Sequence, residues 1–196
     1  MVDRTRLAGI GTTSRSERGE LRTRPRRRCL AFSRKEIQLK RHSALIPLSH
    51  DHHAELVQAR RLRLASGSDV AEARLAAATQ YVAAFFTETT SHFRVEEDRL
   101  FPLFARHAGS SPLLEHVLGE HEELRDLASA LREEAARGDV SGETMLRIAD
   151  LLESNVRREE RELFPLIEQT VPDTELHAAD LPSSITAATD AQSDGA

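Results

Sequence analysis

Between residues 42 and 170, apolar side chains recur every three or four positions in four separate stretches, which predicts four amphipathic helices. The longest stripe reads Leu75, Ala78, Val82, Phe85, Thr89, His92, Glu96 and Leu100. Steps of three and four are the seam of a helix packed in a bundle. This helix is expected to start at Ser68 or Asp69, where Asp69 and Glu72 resemble a capping box. It should end near His107, before Gly109, with Pro102 kinking or loosening it. The helix before it is expected from Ser49, a candidate N-cap, to about Ala65, with Pro47 biasing Ile46 towards an extended conformation. The third helix opens at Ser110 or Ser111 before Pro112, carries Leu114, Val117, His121, Leu124, Ala128 and Leu131, and stops at Gly138. The fourth starts near Ser141, carries Met145, Ile148, Leu152, Asn155, Glu159, Leu163 and Leu166, and ends before Pro172. Short connections imply antiparallel neighbours, so the expected fold is an all-α, antiparallel up-down-up-down four-helix bundle.

The pattern also repeats. Ser91 to Pro102 aligns with Asn155 to Pro165 on a shared Leu-Phe-Pro, so that Glu96 matches Glu159 and His92 matches Asn155. His53-Ala54-Glu55-Leu56 likewise matches His121-Glu122-Glu123-Leu124. The chain reads as two copies of a helical hairpin.

Composition narrows the class. The 196 residues are 39% hydrophobic but only 4% aromatic, with no tryptophan. Ala, Leu, Glu and Arg dominate and β-branched runs are missing, which favours helices over sheet. The net charge of −5 conceals an asymmetry. Residues 1–41 hold 13 Lys/Arg against 4 Asp/Glu, whereas the remainder holds 14 against 28. Residues 1–41 lack any sustained period and are expected to form a disordered Arg-rich leader. An arm for nucleic acid is the lesser reading, since no aromatic residue interleaves the arginines and no nucleic-acid motif follows. Residues 171–196 are expected to be a flexible acidic tail. The single Cys29 excludes an internal disulfide and a cysteine-rich metal site, and suits a reducing compartment. No apolar run is long enough to cross a bilayer, and Leu30 to Phe32 is too short for a signal-peptide core. A cytoplasmic protein is expected, its oligomeric state left open.

The chemistry lies where the stripes turn polar. Each helix breaks its apolar face at a similar depth, the first with His52 or His53, the second with His92 and Glu96, the third with His121, the fourth with Asn155 and Glu159. Buried carboxylates without a basic partner are costly, and a divalent cation removes that cost while neutral imidazoles complete its shell. Imidazole with carboxylate and no thiolate suits iron or manganese, with zinc as a further option. The three-residue spacing to Leu56 favours His53 over His52, by analogy with His121 and Leu124, although His52 also lies near that face. His50 with Asp51 is read as a group at the helix start or a partner behind the ligands. His116 is read as surface, His107 and His177 as end and tail residues, and His42 is left open. The bland alternative is a plain bundle whose carboxylates face water or pair with Arg94, Arg157 or Arg158.

At these residues the chain resembles the hemerythrin-like family, the HHE cation-binding domain. The resemblance covers about residues 42–170. It rests on the run from His42 through Leu48-Ser49-His50-Asp51-His52-His53, on His92 to Glu97 with Leu100-Phe101-Pro102, on Glu120-His121-Glu122-Glu123-Leu124, and on Glu159-Glu160 with Leu163-Phe164-Pro165. It implies a four-helix bundle holding a non-haem di-iron centre. The implied ligands are His53 or His52, His92, His121 and the bridging carboxylates Glu96 and Glu159. The chain departs from the fuller pattern at Val117 and Asn155, where oxygen-carrying members place histidines. The poorer imidazole set argues against reversible oxygen carriage. It leaves open one ion, two bound asymmetrically with waters, or recruitment of another ligand such as Glu160. The resemblance thus implies iron, as two ions, and a small diatomic or peroxide partner, in a protein that binds or senses oxygen, peroxide or nitric oxide or handles iron. A di-metal oxidoreductase and a metal-free helical interaction module are the alternatives.

Overall fold

The computed structural model describes residues 41–183. The leader expected over residues 1–41 lies outside them except for Arg41, as do residues 184–196 of the expected tail. Among the described residues there are helices and no strand. A short 3-10 turn, Ser43–Leu45, leads into α1, Ile46–Ser66. Helix α2 covers residues 71–108, α3 is Pro112–Arg137, α4 covers residues 142–170, and α5 is the short Asp173–Ala178. Helix α1 packs on α2 and α4, and α3 packs on the same two, so the four long helices close a ring around one interior.

The third and fourth helices begin and end as their sequences dictate. Ser111 Oγ accepts from the Leu114 amide, and Ser141 Oγ accepts from those of Glu143 and Thr144. Gly138 closes α3 at φ 72°, a conformation that side chains with a Cβ disfavour. The first two helices begin differently from expectation. Helix α1 starts at Ile46, which is helical with φ −58° and ψ −43°, and Pro47 sits in its first turn. Proline is tolerated there because its missing amide would have had no partner in the helix. Ser49 is therefore inside the helix, and its hydroxyl donates to Glu160 Oε1 at 2.7 Å. The Asp69 capping box does not form: Val70 precedes α2 and no side chain caps it.

Pro102 loosens α2 without ending it. The turn before it, Glu96–Leu100, is a π-turn in which the Phe101 amide reaches back to the Glu96 carbonyl. The same occurs before Pro165, with Glu159–Leu163 and a bond from the Phe164 amide to the Glu159 carbonyl. Proline lacks an amide and its ring collides with the carbonyl four residues back; the wider turn relieves both. A third π-turn, Phe85–Thr89, lies higher in α2. Each π-turn adds a residue and shifts the buried face. Leu166, placed on the stripe by an uninterrupted period, is 37% exposed, while Phe164 and Ile167 are buried instead.

The interior has three layers. One apolar cluster includes Leu62, Tyr81, Phe85, Leu124, Leu131, Met145 and Leu152. The other includes Leu45, Leu48, Leu100, Phe104, Val117, Leu163 and Ile167. The polar residues of the four stripes fall, in each helix, where the chain passes from one cluster to the other. Residues 171–183 belong to this packing, unlike the start of a free tail: Val171, Leu176 and Leu181 are buried in the second cluster.

Candidate metal centre

Five side chains meet in the polar layer with almost no contact with water. His52, His92, Glu96, His121 and Glu159 are each at most 1% exposed. The Nε2 atoms of the three rings face two carboxylates. His52 Nε2 lies 2.8 Å from Glu159 Oε2 and 3.7 Å from Glu96 Oε1. His92 Nε2 lies 3.4 Å from Glu96 Oε1. His121 Nε2 lies 3.1 Å from Glu159 Oε1 and 3.7 Å from Glu96 Oε2. His92 and Glu96 share a face because they are four apart on α2, and the π-turn beginning at Glu96 follows directly. Among the described residues, Glu96 and Glu159 have only histidines as ion-pair partners; Arg157 turns to Glu153 and Arg158 to Glu120.

The other nitrogen of each ring is held by a carboxylate. His52 Nδ1 meets Glu160 Oε1 at 2.7 Å, His121 Nδ1 meets Glu97 Oε1 at 2.8 Å, and His92 Nδ1 meets Asp51 Oδ2 at 3.4 Å. These carboxylates are themselves fixed. Arg41 pairs with Glu160 and Glu168, Arg125 grips both oxygens of Glu97, and Ser183 donates to Asp51 Oδ1 at 2.6 Å. A carboxylate at Nδ1 keeps the proton there and presents the Nε2 lone pair inward, the arrangement that metal-binding histidines require.

The inward atoms are unsatisfied. Among the described residues, His52 Nε2, His92 Nε2, both oxygens of Glu96, Glu159 Oε2 and Asn155 Oδ1 are buried without a hydrogen-bond partner. His52 Nε2 and Glu159 Oε2 approach closely yet without the alignment of a hydrogen bond. Ligands about 2.1 Å from one ion stand roughly 3 Å apart, so lone pairs converging in this way fit a shared cation. His52, His92, Glu96 and Glu159 offer four such atoms within 4.8 Å of one another. The residues therefore fit a metal ion.

Burial disfavours a charged imidazole, but the facing carboxylates outweigh it: His92 is raised to about 10 and His121 to about 9, and His52 also lies well above its usual value. Burial likewise opposes the carboxylate charge, yet the hydrogen bond from His121 and the nearby His52 hold Glu159 low, and hydrogen bonds from His52 and Ser49 hold Glu160 at about 2.

His53, favoured by its spacing to Leu56, is exposed and stays out of the cluster; His52 takes the place. The buried face of α1 runs Leu45, Leu48, His52, Glu55, Ala59, Leu62, in steps of three and four from the 3-10 turn onward. Extending the stripe back to Leu45 would have selected His52, and Glu55 with it. Glu160 braces His52 and does not point inward. Asn155 does reach the layer, its Nδ2 donating to Glu159 Oε1 at 3.1 Å. His116 and His107 are exposed beside Glu120 and Glu175, and His50 is exposed. His42 and His177 stack edge-on near Asp173, away from the cluster.

Inward-facing imidazoles and carboxylates at the waist of a ring of helices form a candidate metal site in an all-helical protein. The hemerythrin HHE cation binding domain matches residues 44–167, and the chain belongs to that family. Domains of this family bind metal cations, typically iron. No curated protein and no solved structure matches the chain. Among the described residues, no helix is long and apolar enough to cross a membrane.

Proposed function

We propose that this is a non-haem iron protein in which Glu96 and Glu159 bridge two ions and His52, His92 and His121 complete the ligand set. The observation that carries this reading is the carboxylate at each Nδ1, which leaves three Nε2 atoms aimed at two carboxylates that lack any other cationic partner. Iron held there supplies a redox couple and open coordination for a small ligand. We read the role as binding or sensing oxygen, peroxide or nitric oxide, or handling iron. Manganese and zinc suit the same donors. The working unit is the bundle over residues 42–170 in a cytoplasmic protein. Its up-down-up-down order is supported by the pairs Arg41–Glu168 and Arg63–Asp150, and by the alternating order of the two apolar clusters along the four helices.

A di-metal oxidoreductase acting on oxygen or peroxide is the second reading. It is favoured by Asn155, whose unsatisfied Oδ1 offers the His121 side a neutral, displaceable donor.

The test is anaerobic reconstitution of wild type, Glu96→Ala and Glu159→Ala with ferrous iron, with metal counted by mass spectrometry and helix content by circular dichroism. Wild type should retain iron, and each variant should lose most of it while staying helical. Full iron in both variants would sink the bridging assignment. Subsequent exposure to oxygen, peroxide or nitric oxide separates the two readings: one stable adduct marks a binder, repeated turnover an oxidoreductase.

A further inference from the structure

Glu55 follows His52 by one turn on the buried face of α1 and is only 4% exposed. Neither of its oxygens has a hydrogen-bond partner, and no arginine or lysine pairs with it among the described residues. The charges that act on it come from His92, His52, Glu159 and Glu96, so it lies near the cluster, outside the four atoms of His52, His92, Glu96 and Glu159 that fall within 4.8 Å of one another. Tyr81 feels the charge of Glu55 in turn, and its buried hydroxyl is also without a partner. A carboxyl kept for structure would bond that hydroxyl or a cation, and Glu55 does neither. An isolated buried carboxylate is among the costliest groups a fold can hold, unless a cation completes it.

We infer that Glu55 is a further metal-binding residue, its carboxylate closing the side of the centre shared by His52 and His92. That ion would then have two imidazoles and a third carboxylate beside Glu96 and Glu159, an oxygen-rich shell suited to Fe(II) or Mn(II). The inference rests on the metal-binding reading of the same cluster. It makes the two halves unequal, because His121 has only Asn155 in the corresponding role. The His52 half fills first.

Cobalt(II) is the probe. It is titrated into wild type, Glu55→Leu and Glu55→Gln, with affinity from equilibrium dialysis and coordination from the visible absorption bands. Removing even an indirect partner of a ligand weakens metal binding roughly 10–100-fold, and both variants should lose at least that much. Both should also show altered cobalt bands. The metal-free Glu55→Leu protein should melt no lower than wild type, because an unsatisfied buried carboxyl group has been replaced by an apolar one. If wild type takes up no cobalt, the metal-binding reading fails and this inference with it. If wild type takes it up and both variants match its affinity and spectrum, the assignment of Glu55 is overturned while the broader reading stands. Glu55→Gln keeps the shape of the side chain, so it decides the matter should Glu55→Leu fold poorly.

Discussion

Glu160 holds His52 by a 2.7 Å contact to Nδ1, and Arg41 holds Glu160 in turn. The counterpart on the other side of the bundle is His121 with Glu97 and Arg125. In both, the bracing glutamate directly follows a buried one, Glu96 or Glu159. The doubled glutamates thus divide their work, the first facing the cluster and the second turning a histidine from a neighbouring helix towards it.

Breaking a brace should weaken metal binding without abolishing it. Glu160→Ala and Glu97→Ala are each expected to lower iron affinity by roughly 10–100-fold while leaving the number of ions bound at saturation unchanged. Competition against a calibrated chelator measures this. Loss of stoichiometry instead would make these residues ligands.

Arg41 stands at the first described position yet reaches the braces of the site. Truncation through residue 40 should leave iron affinity unchanged. Truncation through residue 41, or Arg41→Ala, should weaken it, since Glu160 loses its cation. Equal affinities for the two truncations would show that the clasp is dispensable.

The metal-free and metal-loaded proteins should respond to pH in opposite ways. Raised histidines contribute stability in full below their unfolded value of 6.5, and lose it as pH climbs through about 9 to 10. The lowered Glu160 contributes in full above 4.5 and loses it as pH falls towards about 2. Metal-free protein should therefore melt highest between these unfolded values and fall on the alkaline side. Metal uptake displaces protons from the rings and should strengthen as pH rises. Thermal melts with and without iron across this range provide the check; parallel curves would contradict it.

Asn155 offers an amide beside Glu159 where the repeat places His92 in the other half. Asn155→His should raise the bound iron per chain, by giving the His121 side a second imidazole. Native mass spectrometry counts the ions, and an unchanged count would show that Asn155 does not limit the site.

Phe93 lies flat against His121, with ring centroids 3.7 Å apart and planes 9° apart, and Arg125 sits 5.4 Å above the Phe93 ring. Phe93→Ala should cost about 3–5 kcal/mol from the emptied volume. It should also loosen the His121 ring, so iron affinity falls with stability. Denaturant unfolding monitored alongside metal titration tests both effects.

The sequence showed most plainly what a long, regular stripe reveals. His92, Glu96, His121 and Glu159 all stood on such stripes, and the periodicity carried them to the interior. The analogy of His53 and Leu56 with His121 and Leu124 points away from His52; the helix opens at Ile46 and the buried stripe begins with Leu45, which places His52 inside. Glu55 lies within the repeat His53-Ala54-Glu55-Leu56, whose match to His121-Glu122-Glu123-Leu124 singles out the histidine and the leucine. The burial of Phe164 and Ile167 was not legible, because a period of 3.6 does not anticipate a π-turn. Nor did the polar sequence after Pro172 announce that Leu176 and Leu181 would close one end of the core.

The π-turns at Glu96–Leu100 and Glu159–Leu163 also govern which genetic changes this fold tolerates. Each supplies the single extra residue that brings the segment beginning at Phe101 or Phe164 into phase with the core. Deleting one residue from either window would restore an ordinary turn and rotate everything beyond it by about 100°. Phe101 and Phe104, or Phe164 and Ile167, would then swing away from their neighbours. The exposed positions Asp98, Arg161 and Glu162 can change identity freely, but the spacing they fill cannot. In a library of variants, the exposed positions of these two windows should stand out as substitution-tolerant yet deletion-intolerant, a reading frame imposed by geometry.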